Sequence, residues 1–289
     1  MSLISAVLVV AIHCAGSADV GLSGWWFNQL VSWGVANMAV PFFFFASGYF
    51  AAKSFGQEGY WGQGLCRRVK TLLVPYFVWS ILFFAWLLIL RGVQSGLHGE
   101  TAGLAQLINW RVVPEILGLN PFEMPLLFPC WYVRALMVLF LLLPFFRWMS
   151  GAGKRFAFSL AIGVALLVLT RNLDGNWNSF FRLTLSIEDA CYFLIGCYAR
   201  RRDFCQVQTR GAACVAAAIV MAVLVLRTFA RAQGMQTSPW LDYALTPLMI
   251  FALMGIVSDR AWPSALTGSS FGVFLIHPFV LAVLGVIVV

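Results

Sequence analysis

His13 and His277 are two of only three histidines in the chain. Each sits in an otherwise apolar run, SAVLVVAIHCAG for the first and GSSFGVFLIHPFVL for the second. Polar groups at membrane depth are costly, so each is a candidate for function. A neutral imidazole accepts a proton from a hydroxyl near pH 7, which makes His13 a candidate general base. The competing role is a packing histidine hydrogen-bonded to a neighbouring helix. His277 is followed at once by Pro278, reads equally well as a satisfied imidazole at a kink, and ranks after His13.

A second group of residues could bind rather than react. In LCRRVKTLLVPYFVW, Arg67, Arg68 and Lys70 stand at the mouth of an apolar run, with Pro75 and Tyr76 one to two turns deeper. Such cations hold phosphates through charge-assisted hydrogen bonds, or they serve as a topology anchor. The continuation into a helix broken by proline, a way of opening a cavity in a bundle, favours the binding role. In PCWYVRALMVLFLLLP, Arg134 enters the membrane just after Trp131. It either snorkels to headgroups or pairs with a carboxylate such as Glu115, Glu123, Glu188 or Asp189.

The elements that must position these residues are membrane helices. Of 289 residues, 61% are hydrophobic and 10% charged, with a mean hydropathy of +0.86. A soluble domain has no need of that composition, and a bilayer core asks for about 20 apolar residues per helix. Clear runs occupy 30–52, 69–90, 131–149, 211–230, 240–257 and 269–289, with shorter candidates at 156–170, 186–199 and 3–16. The expected fold is an all-α, polytopic transmembrane bundle of about nine spans, one domain over 1–289. The run 3–16 lacks the basic start and cleavage site of a signal peptide, so it is expected to be a first span that has lost its beginning. One longer loop, about 92–130, carries LAQLINWRVVPEILGLNPFEMP and suits a helix lying in the interface.

Charge and cysteine usage narrow the classes further. Assigning alternating sides to the loops puts twelve Lys and Arg on one side and six on the other, with Arg134 left within a span. The positive-inside rule then places the N-terminus in the cytoplasm. The net charge of +8 follows from this bias, so nucleic acid is not an expected partner. Seven cysteines are scattered without CxxC or Cys/His spacing, and no metal site is expected. Trp25, Trp26, Trp61, Trp131, Trp148 and Trp240 lie near span ends, mostly as an interfacial belt.

Six fragments in order, AVLVVAIH, VPFFFFASGYF, RRVKTLLVPYFVW, WYVRALMVLFLLLP, YFLIGCYARRR and SSFGVFLIHPFVL, resemble the acyltransferase-3 family of membrane O-acyltransferases, of the fucose O-acetylase sort. The resemblance covers nearly the whole chain. It implies a multi-pass protein of the bacterial inner membrane that transfers an acyl group, acetyl above all, from acyl-CoA to a hydroxyl of an envelope glycan or lipid-linked saccharide. Acyl-CoA would be a co-substrate, and no bound cofactor is implied. The family's first-helix histidine maps to His13 and its basic cluster to Arg67, Arg68 and Lys70. Its basic residue eleven positions before the histidine maps to Ser2. That interval is about 16 Å along one helix face, so a basic grip on the donor is missing there. Tyr76, Trp131, Arg134 and His277 are candidate supporting residues, the first three as donors to the oxyanion formed on attack at the thioester. The alternative function is a transporter or flippase for a small molecule or lipid-linked sugar. It would favour deep acidic residues, which are nearly lacking here.

Overall fold

A computed structural model describes residues 2–13, 21–98, 112–173, 175–204, 209–238, 240–257 and 270–283. Among these, all regular structure is helical. Four helices are long and apolar enough to cross a bilayer: Ser23–Ala52, Tyr60–Val93, Gly153–Arg171 and Arg210–Ala232. Phe128–Leu141 with Leu143–Met149 makes a fifth span if this pair, bent by 65°, is counted as one. Trp240–Gly255 and Gly272–Val283 are shorter and apolar. Over the described residues the expected runs are therefore helical, with 14–16, 269 and 284–289 of the first and last runs outside them, while the total of about nine spans goes beyond what length and composition establish.

The chain divides into two compact units, Met1–Ala46 with Ala199–His277, and Ser47–Tyr198 with Pro278–Val289. In the first, α1 (Ser2–His13) precedes α2 (Gly21–Phe27). The helix then runs on through a π-helical segment, Asn28–Val35, and a 3-10 turn into α3 (Ala39–Ala52). Met38 packs against Val220 and Leu224 of α12 (Arg210–Ala232) and Leu245 and Met249 of α13 (Trp240–Val257), burying the apolar stripe of this helical hairpin. Gly234, at φ +75, turns the chain out of α12. Arg227, 4% exposed, pairs with Asp242 across the hairpin and donates to the Trp33 carbonyl at 3.4 Å. Arg231 donates to Thr237 Oγ1 at 2.8 Å and Gln29 Oε1 at 2.9 Å.

The second unit holds α4 (Tyr60–Arg68), α5 (Val74–His98), α6 (Val112–Ile116), α7 (Trp131–Leu141), α8 (Leu143–Met149), α9 (Gly153–Arg171), α10 (Asn176–Leu183) and α11 (Ile187–Arg201). Pro75 does not break the third span, contrary to expectation. A π-helical segment, Val69–Leu73, joins α4 to α5, and Val74 N–H bonds to the Val69 carbonyl. Widening the turn accommodates a residue without an N–H while keeping the helix continuous. Pro144 has the opposite outcome, because the chain bends at Leu142. Pro144 cannot donate to the Phe140 carbonyl one turn earlier, and the indole Nε1 of Trp61 donates to Phe140 O and Leu141 O instead, each at 3.2 Å. Trp61 is thus a clamp between α4 and the α7–α8 bend, a more specific role than the belt its position suggested. At Gly48, in α3, an added Cβ would lie 2.1 Å from the Phe193 carbonyl of α11. The two backbones therefore touch.

Candidate active site

The Trp61 clamp sets the face of α4 that carries Tyr60, Gln63, Arg67 and Arg68 against Phe140. Together with Lys53 these residues line a cavity of about 290 Å³ in the second unit. Its walls combine apolar area with cations. The Arg68 guanidinium lies 4.9 Å over the Phe140 ring, and Arg147 lies 4.7 Å over the Tyr60 ring. Among the described residues neither Arg67 nor Arg68 has a carboxylate partner. Two arginines and a lysine around one hollow make it electropositive. Lys70, the third member of the cluster expected from sequence, is exposed in the π-helical segment and is not part of the cavity lining.

The two intramembrane histidines come together in the first unit. His13 closes α1, and His277 lies in α14 (Ser270–Val283), 5% exposed. Their rings stack with centroids 5.5 Å apart and planes 19° from parallel. Phe274 is 6.1 Å from the His277 ring, and Phe43 meets Phe274 edge-on at 6.4 Å, so the pair sits beside an aromatic wall. His13 is only half-buried, which leaves it the more accessible of the two.

Tyr76 and Arg134 serve the backbone of the long loop. Tyr76 Oη donates to Ile116 O at 3.2 Å. Arg134 donates through Nη1 to Gly118 O at 3.2 Å and Asn120 O at 2.6 Å, and through Nη2 to Glu123 O at 2.9 Å. Neither headgroups nor a carboxylate side chain were needed: three main-chain carbonyls converge on one planar fork. Gly118, at φ +61, makes this possible, since a Cβ there would lie 2.3 Å from Tyr76 Oη. Trp131 is half-buried at the start of α7, directly after the 3-10 turn Phe128–Cys130. Of the interfacial helix expected within the loop at about 92–130, Val112–Ile116 is helical, and residues 99–111 lie outside the described residues.

An acyltransferase domain model matches residues 3–289. The chain belongs to the acyltransferase-3 family. No curated protein and no solved structure matches it. Within this acyltransferase the sequence did not single out Lys53, Tyr60 or Gln63 as site residues. Their signal was the turn just past the end of α3, which returns the chain so that the first residues of α4 face the same hollow as Arg67 and Arg68. In this family member no three His, Cys, Asp or Glu side chains converge as metal ligands among the described residues.

Proposed function

We propose that this acyltransferase takes an acetyl group from acetyl-CoA at the cytoplasmic face of a bacterial inner membrane and delivers it to a hydroxyl of an envelope saccharide or lipid-linked sugar. The CoA phosphates bind Lys53, Arg67 and Arg68, with Lys70 adding long-range attraction at the mouth. His13 removes the proton of the acceptor hydroxyl as that oxygen attacks the thioester carbonyl. The C–O bond forms, the C–S bond breaks, and the CoA thiolate leaves to take up a proton. His277, stacked on His13, fixes the orientation of its ring. Tyr76, Trp131 and Arg134 act by holding the long loop and the start of α7 rather than by donating to the oxyanion, since the Tyr76 hydroxyl and the Arg134 fork are engaged with loop carbonyls.

The single observation that supports the donor assignment is the cavity of about 290 Å³ with cationic side chains from two separate stretches of chain. This is near the lower end of small-molecule pockets, about 300–1,000 Å³, and suits the phosphate-bearing end of CoA rather than the whole molecule. The test is acyl transfer in membrane vesicles from radiolabelled acetyl-CoA to the host's glycan. His13→Ala is expected to lose roughly 10²–10⁴-fold in rate. Equal labelling by both proteins would remove His13 from the mechanism.

A further inference from the structure

Two helix faces that line the cavity continue past it and meet at a pair of hydroxyls. At the end of α3, Ala51 lines the cavity, as does Ser54 in the turn that follows, and Ser47 lies one turn back from Ala51 on the same face. On α7, Phe140 lines the cavity and Tyr132 lies two turns, about 12 Å, back along the face it shares with Leu136. Ser47 Oγ and Tyr132 Oη are 3.4 Å apart, and both residues are only half-buried. Arg68 of the cavity and the buried Asp189 both lie within electrostatic reach of Tyr132. Along these two helix faces the cations therefore lie at one end and the hydroxyl pair at the other, with Ala51 and Leu136 between.

That layout matches a donor with a charged end, a linear arm and a carbonyl. From it we infer that the Ser47–Tyr132 pair hydrogen-bonds the thioester carbonyl of the bound donor and stabilises the oxyanion that develops there. With Tyr132 Oη donating to Ser47 Oγ, the Ser47 hydroxyl keeps its own proton to donate to a carbonyl. Donors aimed at a developing oxyanion are worth about 10²–10³-fold in kcat each. The inference rests on the donor reading above and adds catalytic residues to it.

Binding of two CoA derivatives by the detergent-solubilised full chain tests it. One is a ketone analogue of acetyl-CoA with CH2 in place of the thioester sulfur. The other is S-ethyl-CoA, which has no carbonyl. Tyr132→Phe and Ser47→Ala are expected to lower affinity for the ketone about 10-fold, to leave S-ethyl-CoA unchanged, and to lower kcat about 10²-fold. The unchanged S-ethyl-CoA affinity also reports that each variant is folded. Equal weakening of both ligands, or no weakening of either, would overturn the inference while the donor reading stands. Failure of the unsubstituted protein to bind either ligand would bring down the donor reading and this inference with it.

Discussion

Arginine is used in two contrasting ways. Arg134 and Arg227 are spent on the protein itself, the first on three loop carbonyls and the second on Asp242 and the Trp33 carbonyl. Arg67 and Arg68 line a cavity and, among the described residues, meet no carboxylate. Arg134 ties down a loop through its main chain, and Arg227 adds a polar crosslink to a hairpin that its apolar stripe already packs. The second pair lines a hollow, where the proposed donor would meet it. Where an arginine's hydrogen bonds end is therefore a better guide to its role than its depth in a span.

The sharpest break of this contrast is at Asp242. Its side chain is 31% exposed against 2% for Arg227, so Asp242→Ala strands a buried cation and is expected to cost about 3–5 kcal/mol in unfolding of the solubilised protein. Arg227→Met, which leaves the more accessible partner, is expected to cost less, and the double variant Arg227→Met/Asp242→Leu to recover most of the loss. If both single variants melt with the unsubstituted protein, the ion pair is not structural. Next comes Arg134→Gln, with an expected loss of about 2–3 kcal/mol and faster proteolysis within 117–127. A cleavage rate that does not change would separate Arg134 from the loop. Tyr76→Phe removes one bond to the same loop and should cost about 0.5–1.5 kcal/mol. On the other side of the comparison, Arg68→Gln should leave unfolding within about 0.5 kcal/mol and raise the donor KM about 10-fold, roughly 1.4 kcal/mol. Lys70→Gln, outside the lining, should move that KM less than about 2-fold. A larger effect of Lys70 than of Arg68 would reverse the assignment of the cavity.

Hydropathy made the helical spans legible because burying apolar residues in lipid is a property of each segment by itself. Both intramembrane histidines were equally visible, since a polar residue in an apolar run is a local signal. Their stacking was not, because it joins residues 264 positions apart. Arg134 was visible as costly, yet its partners are main-chain carbonyls, which every residue has and no side-chain type announces. Pro75 and Pro144 look alike in sequence, but one is absorbed by a π-helical turn and the other bends the chain. The Trp61 indole, which meets the carbonyl freed by Pro144, is what makes the bend a fixed part of the cavity wall.

The contact at Gly48 reaches beyond packing. With no side chain between α3 and the Phe193 carbonyl, the approach of the two helices at this level is limited by direct backbone contact rather than by side-chain packing. Ser47 is the adjacent residue, so its elevation along the helix is gauged against a rigid stop. A methyl group at position 48 would therefore be felt next door, as a hydroxyl shifted relative to whatever it addresses.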